Sequence, residues 1–369
     1  MPPFTGTMSR ASSSRTDRRL KDYPPEVREK LILLLDKISL LPKKQQDWEG
    51  WKAFREIWPE DDSWSQANLW IATKRKGELT RLRFNRVQQK LNRVIQAQES
   101  KGVPVRVIIL KARQMGVSTF IQGRHFTKCA LGEGTFALTV ANKKSASKGL
   151  MRMNKRFLNN LFFAPGMTEA STFGLQFAHD SSMAVETARS ADEMGRSHTI
   201  HLLHCSELAF WLQPEAGLNA LFQTMGEYPG CACMIESTAN GKNYFHKMWQ
   251  DASSGKSDFV PVFFPWYEDP TYVRALPGDM KRQFEDTLSD EEANLIKKFK
   301  LSLEQLAWRR HTIRNKCGNS LPKFMQEYPA TPKEAFQFSS SPVFDQNRID
   351  DLKECVVKPK RGNLVFRLG

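Results

Sequence analysis

The residues best suited to chemistry lie close together in the stretch from 105 to 120. Residues 105–110 form an apolar, β-branched run with one charge, which is typical of a buried strand. The chain then becomes polar, places Gly116 at a bend and continues with Ser118 and Thr119. A strand, a glycine-containing loop and a hydroxyl pair at the start of a helix form the arrangement that binds phosphate groups.

The match of this loop to the pattern G-x-x-x-x-G-K-[ST] is incomplete. Gly116 takes the second glycine position and Ser118 the position of the metal-binding hydroxyl, but Lys111 replaces the first glycine and Val117 stands where the lysine is expected. Phosphate groups still need a cation, and Lys111 and Arg113 are the candidates inside the loop. The alternative is an ordinary strand-to-helix turn with a solvated basic pair.

A second candidate lies at the end of the apolar segment 202–207, LLHCSE. Nucleotide hydrolysis needs an acid on a neighbouring strand, and ligands of parallel sheets bind outside the carboxyl ends of the strands. We therefore expect Glu207 to orient and deprotonate the attacking water. Ser206 stands where an aspartate usually helps to hold Mg²⁺ through water. The alternative for Glu207 is a surface residue at a strand end.

The segment 237–241, STANG, ends the next predicted strand. A small polar turn at this edge of a sheet can respond to the γ-phosphate. Ser237, Thr238 and Asn240 are therefore candidates for coupling hydrolysis to movement. Taken alone, the segment is only a turn.

Two arginines, Arg189 and Arg196, lie in a polar, glycine-containing segment before residue 199. An arginine in such a loop can reach a phosphate of its own site or of a neighbouring subunit as an arginine finger. An exposed polar loop without that role explains the composition equally well.

The segment 84–88, FNRVQ, precedes the loop by some twenty residues. The amide of Gln88 carries both a donor and an acceptor, and can therefore pair with the N6 and N7 edge of adenine. A solvent-facing helical glutamine is the alternative.

Histidine and cysteine spacing does not favour a metal site. His198 and His204 point to one face of a strand but lie too far apart to share an ion easily, while His201 points to the other face. The six cysteines include no C-x-x-C pair, and Cys231 and Cys233 are expected to pack in the core. Reduced thiols indicate a cytosolic compartment.

Strands separated by helices predict an α/β fold with a mainly parallel central sheet, helices on both faces and helical additions at both ends. We expect the aromatic-rich segment 48–70 to form a helical core, although it could also stack on bases. The predicted divisions are a disordered basic tail, an aromatic-rich helical subdomain, a nucleotide-binding core, a helical lid or linker and a final linker, at 1–22, 23–80, 81–285, 286–345 and 346–369.

The charge of the chain favours a polyanionic partner. Lys and Arg outnumber Asp and Glu by 55 to 40, which gives a formal net charge of +15. The predicted helix at 145–161 carries Lys148, Arg152, Lys155 and Arg156, and is either a DNA-contacting or a solvated face. No apolar run approaches the length of a membrane span.

Taken together, the motifs resemble the ATPase part of tailed-bacteriophage terminase large subunits, which package DNA. The matching segments, in order, are 84–88 (FNRVQ), 111–119 (KARQMGVST), 194–197 (MGRS), 202–211 (LLHCSELAFW), 237–241 (STANG), 265–266 (PW), 306–310 (LAWRR) and 326–336 (QEYPATPKEAF). The likeness covers about residues 84–344.

The resemblance implies a P-loop NTPase fold of the ASCE type that binds ATP and Mg²⁺. The residues it places at the nucleotide are Gln88, Lys111, Arg113, Gln114, Gly116, Val117, Ser118 and Thr119. It favours Lys111 as the loop cation and Arg196, before Arg189, as a finger acting on a neighbouring subunit. It also implies double-stranded DNA, a portal protein and a small terminase subunit as partners, a ring when assembled but a monomer in isolation, and work in the host cytoplasm.

One expectation concerns the end of the sequence. Terminase large subunits normally continue into a nuclease domain, and the sequence stops at Gly369 where that domain would begin, so DNA cleavage is not expected. Two other functions stay open. A two-lobed helicase would need a second motor lobe, and a non-enzymatic DNA-binding module with a decayed nucleotide site would explain the missing lysine at Val117.

Overall fold

The computed structural model describes residue 20 and residues 23–57, 62–73, 78–188 and 199–337. The strands are β1 (Trp70–Ala72), β2 (Leu79–Arg81), β3 (Val105–Lys111), β4 (Phe136–Ala141), β5 (Met167–Ala170), β6 (Gly174–Phe177), β7 (Ser182–Thr187), β8 (Leu202–Ser206), β9 (Ala232–Ser237) and β10 (Val260–Phe264). The helices are α1 (Pro25–Ser39), α2 (Lys43–Arg55), α3 (Asp62–Asn68), α4 (Arg86–Glu99), α5 (Val117–Leu131), α6 (Lys144–Asn160), α7 (Pro214–Gln223), α8 (Tyr244–Ser253), α9 (Gly278–Glu285), α10 (Asp290–Phe299), α11 (Leu303–Lys316), α12 (Leu321–Glu327) and α13 (Pro332–Ala335).

An eight-stranded sheet in the order β10-β3-β9-β8-β4-β7-β6-β5 forms the centre of the fold. The strands from β10 to β7 pair in parallel, and β6 and β5 continue the sheet in antiparallel fashion. The predicted α/β class and mainly parallel sheet are confirmed. The order places β9 between β3 and β8, so that the carboxyl ends of these three strands are adjacent.

The sheet is covered by apolar residues on both faces, which explains its continuous apolar strands. Along β3 the side chains alternate, so that Val107 and Ile109 join one core and Ile108 and Leu110 join the other. The first core includes α5, and the second includes α7 and α8. The loop after β3 is therefore attached to a strand buried on both sides.

The amino-terminal helices pack against this body through aromatic side chains. Trp51 and Phe54 of α2 are buried, and the Phe54 ring contacts Phe162 and Phe163 after α6 at centroid distances of 6.3 and 5.9 Å. The prediction that this segment forms a helical core is confirmed for Trp51 and Phe54. It is wrong for Trp70, which is half-buried on the strand β1. The side chains of the other aromatic residues at 48, 58 and 64 lie outside the described part of the chain.

Two of the carboxy-terminal helices begin with a capping box. Ser289 and Glu292 form a reciprocal capping box at α10, and Ser302 and Gln305 do the same at α11. Over the ranges that are described, no helix combines the length and the apolarity that a bilayer span requires.

Candidate nucleotide site

The loop between β3 and α5 bends sharply at Gly116. Its φ of 81° is in the left-handed region, and a Cβ atom at this position would lie 2.9 Å from Nε2 of Gln88. The turn therefore requires a glycine for both its backbone conformation and its close neighbour. Val117 begins α5 with its side chain buried, so only its backbone faces the loop. Thr119 is half-buried on the first turn of α5.

Lys111, the last residue of β3, is buried between two carboxylates. Its Nζ atom lies 2.9 Å from Oε1 of Glu207 and 3.0 Å from Oε2 of Glu236. Burial alone would lower the pKa of Lys111, but the Glu236 and Glu207 carboxylates outweigh it and raise the pKa above its usual value. The side chain of Lys111 thus places a positively charged ammonium group beside the loop.

Glu236 on β9 is fully buried and was not among the predicted site residues. Its Oε1 atom accepts hydrogen bonds from the hydroxyls of Ser118, at 2.7 Å, and Ser206, at 3.0 Å. Burial would raise the pKa of Glu236, but the Lys111 ammonium chiefly outweighs it and holds the pKa well below its usual range. The sequence shows only a single acid at the end of the apolar run 231–236, CACMIE, which does not reveal the partners of Glu236 on other elements.

Glu207 follows β8 in the left-handed conformation, with φ of 54°. Its Oε2 atom accepts hydrogen bonds from the backbone N–H of Thr238, at 3.1 Å, and from the hydroxyl of Ser237, at 3.3 Å. Its backbone N–H donates to the carbonyl of Glu236 at 2.7 Å. Two of the three predicted coupling residues thus contact the predicted base. A non-glycine residue in this conformation costs about 1–3 kcal/mol, which the surrounding bonds must offset.

Asn240, the third predicted coupling residue, contacts a different group. Its amide donates to the carbonyl of Ala209 at 3.1 Å, in the short turn after Glu207. Gln326 of α12 donates to the carbonyl of Ala239 at 3.0 Å. The turn after β9 therefore connects the Glu207 segment to the carboxy-terminal helices.

Arg113 pairs with a different carboxylate from Lys111. Its exposed guanidinium binds both carboxylate oxygens of Glu327 on α12, one of them at 2.9 Å. The hydroxyl of Tyr272 donates to the carbonyl of Arg113. Arg113 therefore attaches the loop to the carboxy-terminal helices. Gln114 next to it is exposed, with a positive φ of 55°.

Gln88 supports the loop from α4. Its Nε2 atom donates to the carbonyl of Gly116 at 2.8 Å, and its Oε1 atom accepts from the backbone N–H of Asn85 at 2.9 Å. The amide of Asn85 donates to the carbonyl of Met115 at 3.1 Å. Contact of Gln88 with adenine stays a prediction, and it would require these bonds to be exchanged.

His204 lies beside Glu236 as part of a buried polar chain. Its Nε2 atom is 3.4 Å from Oε1 of Glu236, and its Nδ1 atom contacts Nε2 of Gln122 on α5 at 2.8 Å. The amide of Asn154 on α6 donates to Gln122 at 2.7 Å. His198, like Arg189 and Arg196, lies outside the described residues.

The oxygen donors at this site fit Mg²⁺. In the described ranges no group of three or more His, Cys, Asp or Glu residues is arranged to hold a metal by itself. Mg²⁺ in nucleotide sites usually takes one or two protein oxygens together with phosphates and water. The Ser118 hydroxyl and the Glu236 carboxylate, 2.7 Å apart at the helix N-terminus, are donors of this kind.

Comparison with solved structures identifies the fold. The structure of the HK97 bacteriophage large terminase matches 72% of this chain and 54% of its own length, with a TM-score of 0.51 and 12% identity. The large terminase ATPase domain of Thermus phage P74-26 has a TM-score of 0.40 and 15% identity over 57% of this chain and 90% of that domain. A large terminase from a thermophilic bacteriophage gives 0.39 and 12% over 56% of this chain and 51% of its own.

No protein-family model matches the sequence, and neither does any curated protein. The likeness to the HK97 protein is at the level of fold, and it agrees with the α/β class and mainly parallel sheet that the sequence predicts.

Proposed function

We propose that the protein is an ATP-hydrolysing motor that moves double-stranded viral DNA into a procapsid. The observation that carries this proposal is the cluster of Lys111, Ser118, Glu207 and Glu236. It lies where the carboxyl ends of three adjacent parallel strands meet the N-terminus of α5. Ligands of parallel sheets bind at this edge, and helix N-termini favour phosphate groups.

In this proposal Lys111 changes partners when a nucleotide binds. Its ammonium neutralises two carboxylates before the phosphates arrive, and it turns to the phosphates afterwards. Glu207 then loses its ion pair and is free to orient and deprotonate water with the Oε1 oxygen. Ser237 and Thr238 keep the Oε2 oxygen in place. Mg²⁺, when bound, neutralises charge on the phosphate oxygens.

The arginine finger in this proposal is Arg196, with Arg189 as the second choice. A finger acting on a neighbouring subunit makes hydrolysis depend on assembly. We therefore propose that the protein is a monomer in isolation and forms a ring when it is assembled on the portal. The proposed partners also include a small DNA-recognising subunit, and the proposed location is the host cytoplasm. The net charge of +15 supports DNA as the polyanion that is moved.

The non-enzymatic alternative rests on Val117, which stands at the position of the usual lysine and has a buried side chain. Lys111 weighs against this alternative, because its ammonium lies between the carboxylates of Glu207 and Glu236 and supplies the cation that Val117 does not.

Phosphate release from ATP, measured over a range of protein concentrations with and without DNA, tests the proposal. We expect the rate per subunit to rise with concentration and with DNA. An absence of hydrolysis at every concentration would support the non-enzymatic module. Separation of the strands of a short duplex would support the helicase.

A further inference from the structure

We propose that Glu236 supplies the carboxylate that helps to hold Mg²⁺ at this site. The strand β8, which leads to the proposed base Glu207, does not provide this carboxylate. This inference rests on the proposed function. At the end of β8 the residue before Glu207 is Ser206, so that strand contributes a hydroxyl where a second acid is expected. The carboxylate comes instead from the neighbouring strand β9.

The register of the sheet explains how a residue on another strand reaches this position. Ser206 and Glu236 are direct partners in the parallel pairing of β8 with β9. The Ser206 hydroxyl donates to Oε1 of Glu236 at 3.0 Å. The longer glutamate side chain thus places its carboxylate against the hydroxyl of Ser206, and the strand order β3-β9-β8 puts it in the middle of the site.

The second observation is the contact of Glu236 with the nucleotide loop. Its Oε1 atom also accepts the hydrogen bond of Ser118, at 2.7 Å, and Ser118 occupies the hydroxyl position of the phosphate loop. Oε1 of Glu236 therefore accepts hydrogen bonds from both Ser118 and Ser206, the two hydroxyl residues that occupy the expected positions of Mg²⁺ ligands. Glu207, by contrast, is held by Ser237 and Thr238 on the opposite side.

Burial separates the roles of the two acids. Glu236 is fully buried, whereas the Glu207 side chain is 31% exposed. An acid that activates water must reach the water, and Glu207 meets that condition. Glu236 is suited to a fixed role, because hydroxyls, Lys111 and the ring of His204 surround it.

The test measures nucleotide affinity rather than turnover. A fluorescent ATP analogue is titrated into the full chain in Mg²⁺ and, separately, in EDTA. For the wild type we expect tighter binding in Mg²⁺. For Glu236→Gln we expect most of this gain to disappear, by about 10- to 100-fold, with little change in EDTA. Glu207→Gln, the matched acid, should keep the gain.

A relocation variant makes the test specific. In Ser206→Asp combined with Glu236→Gln the carboxylate returns to β8, and we expect the Mg²⁺-dependent gain to recover. If Glu236→Gln does not fold by circular dichroism, Glu236→Asp, which retracts the carboxylate by one methylene, should show a smaller gain than the wild type. A full Mg²⁺-dependent gain in affinity in Glu236→Gln or in Glu236→Asp would overturn the assignment.

The outcome also distinguishes this inference from the proposed function. If the wild type binds no nucleotide in either buffer, both fail. If the wild type binds and gains from Mg²⁺ but Glu236→Gln gains equally, only the assignment of Glu236 fails.

Discussion

The ammonium group of Lys111 lies 2.9 Å from the carboxylate of Glu207, although 96 residues separate them in the chain. The contact joins the candidate phosphate-binding cation to the candidate base. While it lasts, the Oε1 oxygen of the candidate base is paired with the Lys111 ammonium. Under the proposed function, the phosphates of the nucleotide compete with Glu207 for Lys111, so that one side chain links nucleotide binding to release of the candidate base.

Replacement of Glu207 by Gln should separate binding from hydrolysis. We expect the hydrolysis rate to fall by at least about 100-fold, because a positioned base is removed, while nucleotide stays bound. Phosphate release and binding of a fluorescent ATP analogue measure the two effects. Glu215→Gln on the exposed start of α7 is the matched control and should behave as the wild type. Normal turnover by Glu207→Gln would mean that another group is the base.

Alanine substitutions should identify which basic residue binds the phosphates. Lys111→Ala should weaken nucleotide binding by about 10- to 100-fold, because charge-assisted bonds are removed. It should also lower the free energy of unfolding by about 3–5 kcal/mol, because two carboxylates lose their cation.

Arg113→Ala is the comparison for this experiment. Since its guanidinium is exposed and paired with Glu327, nucleotide affinity should stay within about fivefold of the wild type. Equilibrium titration and denaturant unfolding measure the two properties. The reverse order of affinities would assign the phosphate contact to Arg113.

Gly116→Ala should damage the loop more than a backbone effect alone explains. The new Cβ would meet Nε2 of Gln88 at 2.9 Å and break its bond to the loop. Gly102→Ala is the matched control, since Gly102 has a φ of 66° with open space around it. We expect Gly116→Ala to be less stable than Gly102→Ala by about 1–3 kcal/mol in denaturant unfolding. Equal destabilisation by Gly116→Ala and Gly102→Ala would mean that the contact with Gln88 does not contribute to stability.

The exposed basic residues of α6 should contribute to DNA binding. Replacing Lys148 and Arg152 with Glu should weaken binding to duplexes of any sequence, and should reduce the salt dependence of log K by about 1 for each phosphate interaction that is removed. The same change at the exposed Lys297 and Lys298 of α10 controls for net charge. Equal effects of the two double variants would exclude α6 as a specific DNA face.

Glu334 should make stability depend on pH. Burial raises its pKa from 4.5 to about 7. Between pH 4.5 and about pH 7 the folded chain keeps a proton on Glu334 that the unfolded chain releases. The stabilisation of the folded state by this proton is therefore complete below pH 4.5 and is lost as the pH rises to about 7. Glu334→Gln should therefore gain about 1–3 kcal/mol relative to the wild type on going from pH 4.5 to pH 7.5. Glu285→Gln, an exposed residue of α9, should show no such gain.

The sequence predicted the elements of the site better than their neighbours in space. The strand before Lys111, the helix after Gly116 and the strand before Glu207 all form, because their apolar patterns are local. The pairing of β9 between β3 and β8 depends on long-range packing, which no local pattern specifies. Glu236 was missed for that reason, since its importance comes from residues on other elements.

The partner of Arg113 was missed for a similar reason. Glu327 lies 214 residues further along the chain, and only the packing of α12 against the loop brings the two together. The same packing decides that Arg113 faces outward while Lys111 faces the acids. Sequence reasoning could reduce the choice to these two residues, but could not see the competing carboxylate.

The pairing of Ser206 with Glu236 across two strands has a consequence for recognising such sites in other chains. A motif search that reads along one strand looks for two consecutive acids and scores a serine as a defect. When the second acid lies on the adjacent strand, the defect is only apparent, because parallel register restores the constellation in space. Proteins dismissed as degenerate on that criterion merit a search across neighbouring strands for the missing acid.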